Sequence, residues 1–313
     1  MVALGCGNSA APDLGEPLAI ESASEPWQTG GTAGEVLTTE HYRIYTTAKR
    51  RMIVSNLPGF MEAAYTQYLD MTGLDPIPGD RRLTIYMMAT RSEWALLTEN
   101  VMPARRTGVL SIEAGGYYYK GSCVFWDIGG AGTFQVAAHE GLHQFLDHRL
   151  RDRLPMWLEE GLCVSAEGHQ IHDGYVTFTP NRNPFRFSAL RTALVERHWL
   201  PIAQLLPMDA GDVIQKGTRR AVSYYGQLWA MSMFIRGHAA YRHGLKRILA
   251  DAEAGRFAQT LAVPSDSFDR LKRLARTYNR QISEPIFRHY ITEDLAGFDR
   301  ELKNFASRHV DLR

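Results

Sequence analysis

Long hydrophobic runs are absent from this 313-residue sequence. No stretch approaches the roughly 20 apolar residues that a membrane-spanning helix needs, so we expect no transmembrane span. A basic block is also absent, because 35 Lys and Arg stand against 34 Asp and Glu and leave a net charge of +1. This balance gives no indication of a nucleic acid or a membrane surface as partner.

Cysteine is scarce, and its three occurrences are Cys6, Cys123 and Cys163. An odd number does not decide between an oxidising and a reducing compartment. Cys123 and Cys163 should both lie near the helix described below, so a disulfide between them is one interpretation. We favour the other interpretation, in which both are small buried hydrophobic residues.

The sequence does contain ample apolar content, 45% of its residues, which suffices for one large or two small domains. We divide the chain into three parts. Residues 1–34 are rich in Gly, Ser, Ala, Pro and Glu, which predicts a flexible tail or tether. Residues 35–130 combine strand and helix patterns and are predicted to form an α/β part. Residues 131–313 are predicted to be mainly helical.

The tail begins with MVALGC, whose last four letters resemble the end of a bacterial lipoprotein signal. Cys6 would then carry a lipid anchor, and the protein would lie in the cell envelope or at another extracytoplasmic site. Only five residues precede Cys6, with no basic or long apolar region, so no working signal peptide is present. Two interpretations stay open: a remnant of a lipoprotein signal whose start lies upstream, or a tail on a cytoplasmic protein.

The most informative stretch runs from residue 132 to residue 168 and contains HEGLH, from His139 to His143. On a helix, two histidines at this spacing lie on one face, where their imidazoles can bind one Zn²⁺. A helix is predicted because apolar residues recur at helical spacing and Thr133 is a candidate N-cap. The apolar stripe consists of Ala138, Leu142, Phe145 and Leu146.

A second motif, PMWLEEGL, follows after a gap long enough for a helix end, a loop and a returning helix. Pro155 suits the first turn of that helix. Glu160 lies one turn after Trp157, so it points to the buried side, where its carboxylate can be a third metal ligand. The fourth position stays open for water, which distinguishes a catalytic zinc from a structural one.

Together, the two motifs resemble those of the gluzincin zinc metallopeptidases, whose second motif is typically W-L-x-E-G. The resemblance is closest to the bacterial peptidase-MA-like domains of uncharacterised function. It covers about residues 35 to 310, although only the two motifs are specific. Residue by residue, it implies that His139, His143 and Glu160 bind one Zn²⁺ and that Glu140 is the general base.

Further residues are candidates for supporting roles. Zinc peptidases need a donor that stabilises the oxyanion, and the sequence YGQLW from Tyr225 resembles the Y-x-Q-x-W pattern of the peptidase-MA-like domains. We therefore favour Tyr225 over Tyr224, the alternative being that both are ordinary core or surface aromatics. Carboxylates should also hold the imidazole tautomers. The candidates are Asp147, Glu159 and Glu167, of which Glu159 occupies the variable position of the second motif.

These residues predict a zinc-dependent peptidase that acts on a peptide or protein, with no natural substrate or oligomeric state indicated. Zn²⁺ lowers the pKa of its bound water towards about 7, and Glu140 takes the proton and later protonates the leaving amine. Two alternatives stay open. One is a catalytically silent zincin-fold binding or scaffold protein of the bacterial cell envelope, and the other is a structural zinc site. The presence of all four expected residues argues against the first, and the intact Glu140 with only three obvious ligands argues against the second.

The predicted fold class is α+β: a small mixed sheet with helices leads into the zincin active-site helix, and a mainly helical C-terminal part follows. A helix is expected over residues 52–72, interrupted near Pro58. In gluzincins a sheet edge lies over the zinc helix and pairs with the substrate backbone, and Cys123–Asp127 is the candidate edge. Alternating β formers predict strands at 41–47, 83–88, 117–119 and 122–128.

Overall fold

The computed structural model describes residues 15–311, apart from 103–108, 111, 114, 210, 212 and 214–217. The strands are β1 (Glu16–Pro17), β2 (Ala23–Thr29), β3 (Thr32–Thr38), β4 (Tyr42–Thr46), β5 (Leu83–Met88), β6 (Gly116–Tyr119), β7 (Ser122–Trp126), β8 (His169–His172) and β9 (Tyr175–Phe178). The helices are α1 (Arg51–Thr72), α2 (Arg91–Val101), α3 (Gly130–Arg149), α4 (Met156–Ala166), α5 (Pro184–Val195), α6 (Ile202–Leu205), α7 (Thr218–Gly237), α8 (Ala239–Ala254), α9 (Phe257–Thr260), α10 (Ser265–Lys272), α11 (Ala275–Tyr290) and α12 (Leu295–His309). The α+β class and the helical C-terminal part are as predicted.

The main sheet has six strands in the order β2-β3-β4-β5-β7-β6. The central strands β4, β5 and β7 run parallel, whereas β2, β3 and β6 pair antiparallel with their neighbours. The sheet is therefore mixed. A second, three-stranded sheet has the order β1-β9-β8, in which β8 and β9 follow directly after α4 and β1 comes from the start of the described chain.

Side chains alternate between the two faces of the main sheet along each strand, and each face packs against other elements. On one face, Ile44, Ile85 and Phe125 belong to the large core that includes residues of α1 and α3. On the other face, Trp94 of α2 packs against Trp126, with 4.5 Å between the ring centroids. This layering holds α3, the helix that carries HEGLH, against the sheet.

The predicted flexible tail is wrong for residues 15–34, which form β1, β2 and the start of β3. Strands β2 and β3 pair antiparallel along their whole lengths, and Gly30 and Gly31 adopt positive φ in the turn between them. Most β2 side chains are exposed. Backbone hydrogen bonds and the packing of Trp27 on Tyr45, with 5.3 Å between ring centroids, hold this hairpin. Its low apolar content gave no signal of a strand.

Two helix predictions also need correction. Helix α1 is continuous through Pro58. A proline inside a helix costs about 3 kcal/mol, but neighbours such as Phe60 are fully buried against the core and offset this cost. Helix α3 begins at Gly130, and Thr133 is not its N-cap. The Thr133 hydroxyl instead donates to Oδ1 of Asp127 at 3.2 Å and fixes the approach to the helix.

The predicted sheet edge at Cys123–Asp127 is wrong. This segment contains β7, which lies between β5 and β6, so that β6 is the edge. The two strands form a hairpin whose turn residues, Lys120 and Gly121, both have positive φ, as tight two-residue turns require. The alternating sequence pattern predicted both strands, but β6, the first strand of the hairpin, lies at the edge of the sheet.

The cysteines Cys123 and Cys163 are free and buried, which confirms the interpretation favoured from the sequence. The Cys123 thiol donates to the carbonyl oxygen of Glu140 at 3.1 Å. Cys6, with its predicted lipid anchor, lies outside the described residues. Within the described part of the chain, none of the helices has the length and apolar character needed to cross a bilayer.

Candidate metal centre

Helix α3 carries both histidines and is packed tightly against α1. A Cβ atom on Gly141 would lie 2.5 Å from the Tyr68 hydroxyl oxygen and 2.9 Å from Cε of Met61. The Tyr68 hydroxyl donates to the carbonyl oxygen of Ala138 at 2.8 Å. Gly141, between the two histidines, therefore lets α3 approach α1 closely, and this contact fixes the position of the HEGLH segment.

A carboxylate holds one ring nitrogen of each histidine. The distance from His139 Nδ1 to Glu167 Oε1 is 2.8 Å, and that from His143 Nδ1 to Glu159 Oε1 is 2.7 Å. Each Nδ1 therefore donates, which leaves each Nε2 as a lone-pair donor for a metal ion. Carboxylate-bound imidazoles of this kind are typical of zinc sites.

Glu160 of α4 meets the two Nε2 atoms. Its Oε2 lies 3.3 Å from His139 Nε2, and its Oε1 lies 3.8 Å from His143 Nε2. Ligands at about 2.0–2.1 Å from a tetrahedral zinc lie roughly 3.3 Å from one another, so these distances fit one shared ion. The buried Oε2 has no hydrogen-bond partner among the described residues. Such an atom is costly unless a cation compensates it, and this favours a metal here.

Cys163, one turn after Glu160 on α4, is the competing third ligand. Its sulfur and one nitrogen each of His139 and His143 lie within 4.8 Å of one another. The side chain is fully buried in the apolar core, and burial, followed by the charge of Glu160, raises the pKa of its thiol. The distances from the Glu160 carboxylate to the two Nε2 atoms, and its Oε2 without a hydrogen-bond partner among the described residues, favour Glu160 as the third ligand. The residues present therefore fit a zinc ion bound by two imidazoles and one carboxylate.

Glu140 lies beside this group and is 9% exposed. Burial raises the pKa of its carboxyl, although His139 and His143 oppose the shift. A carboxyl whose pKa is raised towards neutrality is suited to taking up and releasing a proton.

A cavity of about 370 Å³ opens over these residues. The edge strand β6 forms one wall through Gly116, Tyr117 and Tyr118, and α11 contributes Tyr278 and Asn279. A substrate in this cavity would therefore lie between β6, which is the edge strand in the described part of the chain, and the two histidines. The lining residues from α3, α4 and the segment between them are His139, Glu140, His143, Leu146, Asp147, Leu150, Asp152, Arg153, Leu154, Met156, Glu159 and Glu160.

Of the three carboxylates predicted to hold the imidazoles, Glu159 and Glu167 do so. Asp147 accepts a short hydrogen bond from the Tyr118 hydroxyl instead. It therefore belongs to the cavity wall beside β6 and is no partner of either imidazole.

The two tyrosines of α7 differ in position. Tyr225 lines the cavity, and its ring centroid lies 6.5 Å from that of His139. Tyr224 is fully buried, and its hydroxyl has no hydrogen-bond partner among the described residues. Burial raises the pKa of Tyr225 well above its usual value, so that its hydroxyl stays protonated and able to donate.

The sequence analysis did not single out Arg186 of α5 or Asn183, the N-cap of this helix. Glu167 accepts hydrogen bonds from Arg186 Nε at 2.8 Å, Arg186 Nη2 at 2.6 Å and Asn183 Nδ2 at 3.1 Å. Burial alone would raise the pKa of Glu167, but Arg186 and then His139 lower it to about 2. The one available signal was Asn183-Pro184, a typical helix start, which places Arg186 in the first turn.

Comparison of the chain with protein-family models, with curated proteins and with solved structures finds no match. The chemistry and geometry of the site therefore carry the functional argument.

Proposed function

We propose that this protein is a zinc-dependent peptidase of the gluzincin type, which hydrolyses a peptide bond in a peptide or protein substrate. One observation carries the proposal: Glu160 and the two Nε2 atoms converge within 3.8 Å, while carboxylates hold both Nδ1 atoms. A structural zinc usually has four protein ligands. Three ligands beside an open cavity and a buried Glu140 favour catalysis instead.

In this proposal, each residue of the site has a separate role. His139, His143 and Glu160 would hold the zinc, which when bound polarises a carbonyl and makes water a nucleophile near neutral pH. Glu140 takes the proton of the attacking water and passes it to the leaving amine. Tyr225 donates a hydrogen bond to the oxygen that gains negative charge.

Among the described residues, no strand pairs with the outer side of β6, and this edge gives the substrate a place to bind. An extended peptide can add to such an edge as a further strand, with backbone hydrogen bonds that do not depend on side chains. Gly116, Tyr117 and Tyr118 lie on the cavity wall, so the added strand would run past the histidines. This supports a peptide as the substrate class.

The test is the Glu140→Gln variant, assayed for zinc content and for cleavage of a mixed peptide library. We expect the variant to bind zinc as the wild type does, because Glu140 is no ligand. Turnover should fall by about 10²–10⁴-fold, the contribution of a general acid–base residue. Glu99→Gln on the exposed side of α2 is the control and should keep both properties. Undiminished turnover of Glu140→Gln would contradict the proposal, and a zinc-loaded wild type without turnover would indicate a binding or scaffold protein.

A further inference from the structure

Arg186 is a largely buried cation to which the proposed function assigns no role. Its side chain is 13% exposed, and arginine is almost never buried without a partner. It lies in the first turn of α5, away from the cavity wall, and contacts Glu167, which holds His139, and Tyr225, which lines the cavity.

The first contact is with the carboxylate that holds His139. Two nitrogens of the guanidinium bind the two oxygens of Glu167, at 2.8 and 2.6 Å. Asn183 donates to the same carboxylate at 3.1 Å and accepts from the backbone N–H of Arg186 at 3.1 Å. The start of α5 is therefore locked to Glu167, and Glu167 has no freedom to turn away from His139.

The second contact is with Tyr225. The guanidinium carbon lies 5.2 Å from the centre of the Tyr225 ring, within the range of a cation–π interaction. Helices α5 and α7 also approach closely at the next residue, because a Cβ atom on Gly226 would lie 2.7 Å from the backbone nitrogen of Leu190. The Tyr225 ring therefore lies between the guanidinium and the close contact of the two helices.

We propose that Arg186 is a positioning residue with two separable effects: through Glu167 it orients His139 for zinc, and through its planar face it orients Tyr225 for the developing oxyanion. The inference rests on the proposed peptidase function. It also explains why arginine is required. Lysine supplies the charge for Glu167 but has no bidentate fork and no planar face for a ring.

Three variants separate the two effects. Arg186→Met removes both contacts, and we expect zinc affinity to fall by about 10–100-fold, as when the partner of a ligating histidine is lost. Arg186→Lys keeps a cation beside Glu167, so zinc affinity should stay within a few-fold of the wild type. Its kcat should still fall by about tenfold or more, because the Tyr225 hydroxyl is misplaced. Arg191→Met, an exposed arginine of the same helix, is the control and should change neither quantity.

A double-mutant cycle tests the link to Tyr225. In a Tyr225→Phe background, Arg186→Lys should cause no further loss of kcat, because the group that it positions is gone. Zinc affinity is measured by competition with a chelator, and kcat on a peptide that the wild type cleaves. Circular dichroism shows whether each variant is folded. If Arg186→Met does not fold, the Arg186→Lys and Tyr225→Phe cycle decides.

The outcomes separate this inference from the proposed function. Equal kcat for Arg186→Lys and the wild type, or full additivity with Tyr225→Phe, would overturn the inference and leave the peptidase intact. A variant that lowers only the unfolding midpoint would show that Arg186 serves folding alone. A wild type that binds no zinc would overturn the proposed function and this inference with it.

Discussion

At the scale of single residues, α4 offers two different third ligands one helical turn apart. The Glu160 carboxylate lies 3.3 Å and 3.8 Å from the two imidazole nitrogens, whereas the sulfur of Cys163 lies within 4.8 Å of the histidine nitrogens. A zinc held by Glu160 keeps an oxygen donor and an open position. A zinc held by Cys163 would leave the buried Glu160 carboxylate outside the set of ligands.

Two substitutions distinguish these ligands. Glu160→Gln removes the charged donor, so we expect zinc affinity to fall by at least about 100-fold. Cys163→Ser should change the affinity by no more than a few-fold, because the thiol is a core residue. Competition with a chelator measures both. The reverse ranking would make Cys163 the ligand and would contradict the assignment of Glu160.

The spacing within the two motifs was enough to identify the three residues that we propose as metal ligands. HEGLH and WLEEG place His139, His143 and Glu160 by helical periodicity alone, and the structure brings all three together. Arg186 could not be found in this way. Its contact with Glu167 depends on how α5 returns to the end of α4, and an arginine in an ordinary helix carries no local sign that it is buried.

At the scale of elements, the close contact between α5 and α7, here called the seam, keeps Arg186 next to Tyr225. Gly226 lies in this seam, where a Cβ atom would meet the Leu190 nitrogen at 2.7 Å and the Ala189 carbonyl carbon at 2.9 Å. Both are backbone atoms, so the helices themselves would have to separate. The seam therefore tolerates no side chain at this position.

Gly226→Ala should lower the free energy of unfolding by about 1–3 kcal/mol, the usual effect of overpacking. It should also lower kcat, because Tyr225 moves with α7. Urea unfolding and peptide cleavage measure the two effects. Gly237→Ala, at the end of the same helix with no atom within 4 Å of the added methyl group, is the matched control. Equal stability of the two variants would show that the seam is not close-packed.

The order of elements in the sheet was less predictable than the elements themselves. Strand β5 was predicted at its observed bounds, Leu83–Met88, because it alternates cleanly. The assignment of Cys123–Asp127 as the edge was wrong because alternation reveals a strand but not its neighbours. The hairpin β2–β3 was missed for a related reason, since its edge strand buries little and its glycine and proline content resembles that of a tail.

At the scale of the whole molecule, the sheet and α1 are joined by a charged pair that makes stability depend on pH. His41 Nδ1 lies 2.6 Å from Glu62 Oε2, and the imidazole stacks on Tyr65 with 3.9 Å between ring centroids. The hydrogen bond with Glu62 raises the pKa of His41 above its usual value of 6.5, although burial opposes the shift. Glu40 lies 4.0 Å away and adds to the increase. Burial alone would raise the pKa of Glu62, but His41 and Thr39 lower it below 4.5.

The signs of these shifts define a pH window. The contribution of His41 is complete below 6.5 and is lost as the pH rises through its raised pKa in the folded state. The contribution of Glu62 is complete above 4.5 and is lost as the pH falls through its lowered pKa. The pair therefore stabilises the protein most between these two values.

His41→Phe keeps the stacking on Tyr65 and removes the charge. We expect the wild type to exceed this variant by on the order of 1 kcal/mol in the free energy of unfolding at about pH 5.5. The difference should be smaller at about pH 9, because the contribution of His41 is lost as the pH rises through its raised pKa in the folded state. Urea unfolding at the two pH values measures it, with the exposed His172→Phe as control. A difference that grows with pH would contradict the assigned sign.

Zinc X-ray absorption of the purified full chain tests most directly whether His139, His143 and Glu160 bind one metal ion. We predict one zinc per chain with nitrogen and oxygen ligands at about 2.0–2.2 Å. A sulfur ligand at about 2.3 Å, or a chain that binds no zinc, would contradict it.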